Sequence, residues 1–488
     1  MTIGREFEQK QLLDMLESSE SEFCVVYGRR RVGKTYLIRE TFHYQFAFQH
    51  TGMARATTRQ QLTAWRDSLR QAGMKKCTIP SNWLEAFGML QTYLDQLPSG
   101  KKVVFIDELP WMDTPRSGLI SALEHFWNAW ATARPEKDIV LIVCGSATSW
   151  ITTKLLRNKG GLRGRLTQRI PIHPFTLSEC ALYADAAGLQ LTHRDILELY
   201  MAMGGIPYYW SFLRRGLSVP QNIDWLFFGE SAPLADEYEA LYDTLFRRPE
   251  NYVRVIEALT GKRCGLTKKE LLESTGLSDG GTFTRILTEL EQCGFIRHYA
   301  SYEKEERDTI FQLIDNYTLF YHQCILRNAY HDTQYWEHTY RQPVHNTWLG
   351  LSFERVCLQH IPQIKRRLGI EGVRTDVCSW RTQRTDAHDG AQIDLMLVRG
   401  DFVVDICEMK YSADLFDISG SDVEDWEHKM QVYRQVMGNR SALHLVLVTT
   451  LGVTQNRYKN VVQNIITLDD LFAPATVSTI APPNSLEH

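Results

Sequence analysis

Phe23-Cys24-Val25-Val26-Tyr27-Gly28-Arg29-Arg30-Arg31-Val32-Gly33-Lys34-Thr35 is an apolar run followed at once by a basic loop bounded by glycines. The run Phe23 to Tyr27 reads as a buried strand, and the amphipathic stretch opening near Tyr36 reads as a helix. Strand, glycine-bounded loop and helix in that order are what a phosphate-binding loop requires. Glycines at both ends let the backbone wrap so that its N–H groups point inward, and the helix N-terminus adds a favourable dipole. Residues 28 to 36 (Gly28, Arg29, Arg30, Arg31, Val32, Gly33, Lys34, Thr35, Tyr36) are therefore expected to bind the phosphates of ATP. Lys34 is expected on the β- and γ-phosphates and Thr35 on Mg²⁺.

A second half to this site lies downstream. Lys102-Val103-Val104-Phe105-Ile106 reads as a strand ending in Asp107-Glu108, at the carboxyl edge where parallel sheets bind ligands. Asp107 is expected to hold Mg²⁺ and its waters, and Glu108 to polarise the attacking water. The run Ile139 to Cys144 ends in Gly145-Ser146, so Ser146 is either a γ-phosphate sensor or a turn serine. Gly161-Leu162-Arg163-Gly164-Arg165 either carries an arginine, Arg165, to a phosphate in its own or an adjacent subunit, or is a basic surface loop.

Further runs at Gln45 to Gln49 and Gln168 to Ile172 bring the expected strands to five, with helical patterns such as Trp83 to Leu97 and Ser117 to Ala131 between. Alternation of this kind predicts an α/β fold with a parallel five-stranded sheet. From Leu177 to about Pro249 the pattern is helical, a candidate lid punctuated by Gly204, Gly205 and Pro207. Tyr252 to Leu259, Lys268 to Ser274 and Thr282 to Cys293 read as helices before a hairpin of Phe295 to Tyr302 against Thr309 to Ile314, the order of a winged helix. The polar stretch Asn328 to Asn346 reads as a linker. After it come a helix over Leu349 to Arg367 and strands at Arg374 to Trp380, Gln392 to Val398, Phe402 to Glu408 and Leu443 to Val448. The expected division is 1–175, 176–249, 250–330, 331–475 and a 476–488 tail whose end, Leu486-Glu487-His488, looks like a tag scar.

Bulk properties bound these readings. A chain of 488 residues is too long for one core and suggests roughly three units. Hydrophobic residues at 44%, with 12 Trp, 21 Tyr and 21 Phe, exclude a disordered chain. A net charge of −4 gives no global attraction to nucleic acid, so any such contact must be local. The ten cysteines lack metal-ligand spacing and read as reduced core thiols. No apolar run reaches the ~20 residues of a membrane helix, and no signal-peptide pattern opens the chain. A cytoplasmic protein, with no membrane partner, is expected.

The order of elements resembles AAA+/STAND-related P-loop ATPases, and more narrowly the archaeal-type prokaryotic ATPase family with a C-terminal domain of unknown function. The residues that carry the likeness are Gly4-Arg5-Glu6, Gly28 to Thr35, Asp107-Glu108-Leu109-Pro110, Gly145-Ser146, Gly164-Arg165, Pro174-Phe175 and Gly204-Gly205-x-Pro207. The resemblance implies that Gly4-Arg5 and the Gly-Gly-x-Pro turn lie near the nucleotide, with Pro207 reporting its state.

In the last domain, period-two alternation puts Glu408 and Lys410 on one face of a strand, with Asp394 on the strand before. An Asp followed by Glu-x-Lys across a hairpin gathers carboxylates around Mg²⁺, and the lysine positions water for phosphodiester attack. Glu354 on the preceding helix would complete the set, with Asp394 and Glu408 as metal ligands. This part resembles the PD-(D/E)xK nuclease superfamily, including a following helix with Gln431 and Tyr433. The expected helix Thr282 to Cys293 offers Arg285 to DNA but also Glu289 and Glu291, so the winged helix either reads DNA or relays motion. Two functions follow: an ATPase that gates a Mg²⁺-dependent nuclease on DNA or RNA, or an ATP-dependent switch, open to homo-oligomer formation, whose last domain binds without cutting. An inert pseudo-ATPase is a third, which Glu108 argues against.

Overall fold

The computed structural model describes residues 2–158, 160–246, 248–262, 265–299, 309–328, 330–386 and 388–474. The chain divides at the Pro174–Phe175 bond into two units.

The first unit is built on five parallel strands: β1 (Glu22–Tyr27), β2 (Phe48–Thr51), β3 (Lys102–Asp107), β4 (Ile139–Gly145) and β5 (Gln168–Pro171), in the spatial order β2-β3-β4-β1-β5. Every residue of β3 and β4 is buried, as continuous apolar runs covered on both faces must be. One face, carrying Phe23, Val25, Val104, Ile106, Leu141 and Val143, packs on an aromatic layer of Trp65, Trp83, Phe87, Phe126 and Trp127.

Three expected boundaries move. β2 begins at Phe48, not Gln45, because His43 and Tyr44 adopt φ of 50° and 60° and close the helix Lys34–Thr41, with Tyr44 N–H on Arg39 O. The helix expected over Ser117 to Ala131 starts at Leu119 behind Gly118 (φ 71°), and its last stretch, Phe126–Ala131, widens to i→i−5 bonding. The loop helix starts at Lys34 itself, two positions before Tyr36.

In the second unit the residues up to Leu245 are helical, with no strand among those described. Capping boxes at Thr176, Thr192 and Ser218 start three of these helices by satisfying otherwise orphaned N–H groups. Helices Glu250–Thr260, Lys268–Thr275 and Gly281–Gln292 follow, with a small antiparallel sheet of β6 (Leu266–Thr267), β7 (Ile296–Tyr299) and β8 (Ile310–Leu313) in the order β6-β8-β7. Ala300 to Tyr302 of the expected hairpin, and the tail Leu486 to His488, lie outside the described residues.

The described part of the expected linker, 330–346, is instead ordered around aromatic anchors. Trp336, 2% exposed, sits on the helix Tyr335–Thr339 and meets His345 and Trp348 edge-on, while both carboxylate oxygens of Asp224 cap that helix at Trp336 N and Glu337 N. The helix expected over Leu349 to Arg367 is two, Pro343–Gln359 and Ile361–Arg367, broken at His360. Pro362 supplies no N–H to carry one helix through.

The last sheet has the order β13-β12-β11-β10-β9, formed by β9 (Thr375–Thr382), β10 (Ala391–Arg399), β11 (Val403–Lys410), β12 (Ala442–Thr449) and β13 (Asn464–Ile466). β9, β10 and β11 run antiparallel, and β11, β12 and β13 parallel, with the helix Gly420–Met437 between β11 and β12 in the chain. Trp380, Trp426 and Tyr433 fill its core. No helix among the described residues is long and apolar enough to cross a membrane.

Candidate functional site: a nucleotide cradle and a C-terminal carboxylate cluster

β1 delivers the chain to a loop that only glycine permits at its first position. Gly28 has φ of 150°, and a Cβ there would collide with the carbonyl of Ile172, just past β5. Arg31 (φ 68°) and Gly33 (φ 91°) complete the wrap, and Gly33 is the N-cap of the helix Lys34–Thr41. Val32 and Arg29 are buried, Arg30 and Arg31 half-buried, and Tyr36 is exposed, so Tyr36 brings to the loop its main chain in the helix's first turn. The buried Lys34 ammonium donates to Gly28 O (3.0 Å) and Arg29 O (2.9 Å). Close by, Arg5 donates to His173 O (2.5 Å), tying Gly4-Arg5 to the residue after the one that packs on Gly28.

The tip of β3 meets this loop from the side. Thr35 Oγ1 donates to Asp107 Oδ2 (2.9 Å), while Cys144 Sγ (2.7 Å) and Glu108 N (3.0 Å) donate to Oδ1. A hydroxyl and a carboxylate held together are hard oxygen donors suited to Mg²⁺, which takes one or two protein oxygens and completes its shell with water and phosphate. Glu108 adopts the left-handed region (φ 48°, ψ 45°) and caps the short helix Leu109–Met112, which turns its side chain toward β4. There Oε2 accepts from Ser146 N (3.2 Å) and Ser146 Oγ (3.1 Å). Burial raises the Glu108 carboxyl above the usual range; Lys34 opposes this and Asp107 adds to it, while the Ser146 bonds lower it.

The fold thus assembles Lys34, Thr35, Asp107, Glu108 and Ser146. It leaves Arg165 elsewhere: Arg163 and Arg165 are exposed on the turn before β5, where Arg165 N bonds Leu162 O. Pro207 belongs to the second unit and opens the helix Pro207–Trp210. Just before it, Gly205 packs so tightly that a Cβ would strike Phe175 O, and Phe175 N bonds Gly205 O (2.6 Å). Sequence reading missed Cys144, taken as a core thiol that in fact bonds Asp107; its place one residue before Gly145-Ser146 was the available signal.

On the last sheet, the β10–β11 ladder reaches Leu395 and Cys407, and the charge of Asp394, the residue before Leu395, acts on Glu408, the residue after Cys407. Asp394 accepts from Gln392 Nε2 (2.6 Å). Glu408 is held by Lys429 Nζ (2.7 Å), which also meets Asp425 (2.8 Å), and Lys410 faces Asp422 at 3.8 Å. Burial raises the Glu408 carboxyl, with Lys429 working against it. Glu354, fully buried, pairs with Arg355 (3.0 Å), whose Nε donates to Leu313 O (3.0 Å). Asp394 and Glu408 therefore come together as expected, but Glu354 and Lys410 are turned to partners of their own. Among the described residues no group of three His, Cys, Asp or Glu side chains is arranged to hold a metal. As arranged, this cluster does not fit a divalent cation, because intramolecular cations already neutralise its carboxylates.

Residues 3–212 match the family model described as an ATPase domain predominantly from Archaea. The chain carries an archaeal-type ATPase domain over that span. It is 23% identical over 410 residues to an uncharacterized protein of Methanocaldococcus jannaschii, covering 81% of this chain and 84% of that one. Among solved structures it is similar to a Walker-type ATPase of Pyrococcus abyssi (17% identity, 64% of this chain and 94% of that chain, TM-score 0.44). It is also similar to the ORC2 protein of Aeropyrum pernix in ADPNP–ADP complexes (12% identity, 65% and 92%, TM-score 0.40).

Proposed function

We propose that this chain is a Mg²⁺-dependent ATPase in which the nucleotide state governs a C-terminal nuclease-type site acting on DNA or RNA. The observation that carries the ATPase reading is the join of Thr35 to Asp107 beside Lys34 and Glu108. Lys34 exchanges its loop carbonyls for the β- and γ-phosphates, and the loop N–H groups cradle the rest. Mg²⁺ would sit on Thr35 and Asp107, where it neutralises charge on the phosphates. Glu108 orients the attacking water and takes its proton, and Ser146 holds the Glu108 carboxylate in place until then. Exposed Arg163 and Arg165 suit contact with a phosphate in a second copy of this chain.

For the second unit, the nearness of Asp394 to Glu408 is what supports a nuclease-type reading, while Lys410 faces Asp422. The 250–330 region, read as a winged helix, acts as a relay more than a DNA reader. Glu289 and Glu291 are bonded to Tyr252 and His298, and β7 packs against β9 while Glu270 pairs with Arg381 (3.2 Å). The ion pairs at Glu408 and Glu354 favour a second reading, a nucleotide switch whose last sheet binds a partner without cutting it. Phosphate release by wild type and Lys34→Ala, with Mg²⁺-dependent cleavage of DNA and RNA by wild type and Asp394→Ala, tests both. Turnover lost in Lys34→Ala and cleavage lost in Asp394→Ala support the first reading; cleavage unchanged by Asp394→Ala leaves the switch.

A further inference from the structure

The basic charge that the chain lacks as a whole is gathered along one helix of the first unit. Residues 55–76 carry Arg55, Arg59, Arg66, Arg70, Lys75 and Lys76 against one acid, Asp67, in a chain of net charge −4. In the helix Thr58–Ala72, Arg59, Arg66 and Arg70 stand seven and then four positions apart, which puts them in one stripe. Arg59 and Arg70 are exposed, and Arg66 is half-buried with Nε on Asp67 (2.8 Å). Arg70 donates to Cys77 O (2.9 Å), tying the turn that carries the exposed Lys75 and Lys76 to the end of the stripe. The acids of the adjoining helix Trp83–Asp95 face other partners, Glu85 taking Ser81 and Asp95 taking Arg134.

The inner side of the same helix reaches the nucleotide cradle. Leu62, Trp65 and Leu69 are buried in the core with Trp83 and Phe87, so the apolar face is already covered and is not open to a bilayer. Gln61, fully buried, accepts from Met53 N (3.0 Å) and donates through Nε2 to Met53 O (2.6 Å) and Trp111 O (3.0 Å). Trp111 N in turn donates to Glu108 O (3.0 Å), and a Cβ on Gly52, next to Met53, would strike that same carbonyl. One side chain thus joins the helix of the stripe to the left-handed turn that aims Glu108.

We propose that the helix Thr58–Ala72 is a nucleic-acid sensor: the stripe of Arg59, Arg66 and Arg70 docks on a phosphodiester backbone, and Gln61 passes its occupancy to Glu108. Guanidinium forks match phosphate oxygens two at a time. At 1.5 Å of rise per residue the stripe runs ~16 Å, or about five nucleotide steps at 3.4 Å each. A polynucleotide supplies an anion at every step along such a line, the regular row that a straight stripe of guanidiniums fits. Contact with the backbone alone carries no sequence information, so the sensor responds to nucleic acid of any sequence. The relay rests on the reading of Glu108 as the base of the ATPase.

Fluorescence anisotropy with labelled DNA and RNA oligonucleotides across a salt series, with phosphate release read on the same full-length samples, tests it. The variants are Arg59→Gln/Arg66→Gln/Arg70→Gln, Arg59→Lys/Arg66→Lys/Arg70→Lys and Gln61→Met. The Gln triple variant should weaken Kd by about tenfold or more and lower the slope of log K against log salt by roughly 2–3. The Lys triple variant should keep most of the binding, which separates lost charge from lost fold. Nucleic acid should raise the kcat of wild type with the KM for ATP unmoved, and Gln61→Met should bind as wild type does yet lose the rise. No binding by wild type, binding equal in wild type and the Gln triple variant, or poly-glutamate competing as well as the oligonucleotides overturns the docking surface, the last by giving the stripe to an acidic protein. Stripe-dependent binding with no rise in kcat, or a rise kept in Gln61→Met, overturns the relay. Phosphate release absent from wild type under every condition removes the Glu108 reading, and the sensor with it, whatever the anisotropy shows.

Discussion

At the tip of β3, Asp107 and Glu108 accept hydrogen bonds from Thr35, Cys144 and Ser146, neutral donors all, and Lys34 acts from a little further off. On the last sheet and the helix Pro343–Gln359, Glu408 and Glu354 are held directly by Lys429 and Arg355. Neutral donors orient a carboxylate and leave its charge in place for a metal, whereas a salt bridge spends that charge inside the protein. The same residue type in two buried clusters is therefore poised in one region and closed in the other.

The largest effect expected from this contrast is structural. Arg355→Met leaves Glu354 buried without its cation and should destabilise the second unit by about 3–5 kcal/mol in urea unfolding, with Glu354→Leu/Arg355→Met recovering most of it. A loss under ~1 kcal/mol would make the pair ornamental and dissolve the comparison. Next, Lys34→Ala or Glu108→Gln should lower ATP turnover by roughly 10²–10³-fold in phosphate release while leaving urea unfolding almost unchanged. A large stability loss instead would place these residues among the structural charges.

The pH profile sharpens the contrast further. With Glu108 as the proposed base, turnover should fall as pH drops through the Glu108 pKa, which burial has raised above the ordinary 4.5. Ser146 donates to the anion and holds that value down, so Ser146→Ala should carry the acid limb of kcat to higher pH. A limb that stays put, or moves down, would remove Ser146 from the Glu108 environment. The smallest effect belongs to Cys144→Ala, which removes one neutral donor from Asp107 and should cost about 1 kcal/mol in unfolding. Burial keeps that thiol protonated, so thiol reagents should leave wild-type turnover intact.

Much of the first unit was legible because its signals are local. Gly28 to Thr35 needs its two glycines at the ends of one short loop to wrap, and Asp107-Glu108 announces itself by ending an apolar run. The strands were placed to within a few residues, and β2 shifted because His43 and Tyr44 took a left-handed turn that Tyr44 does not advertise. In the second unit, Asp394 and Glu408 were found by the same alternation rule. What was missed there involves partners far apart in the chain: Lys429 on a later helix, and Leu313 for Arg355. The polar composition of Asn328 to Asn346 hid Trp336, whose burial depends on Asp224, His345 and Trp348.

Sequence alone determined the wrap of the phosphate loop, the acidic strand tip beside it and the alternation of strand and helix that makes the sheet parallel. Each depends on backbone sterics and apolar periodicity over a few neighbouring residues. Tertiary structure alone decided which carboxylates keep their charge available, because the cost of a buried charge is set by whatever the fold brings within a few ångströms of it. Thr35, Cys144 and Ser146 arrive at one cluster, and Arg355 and Lys429 at the other.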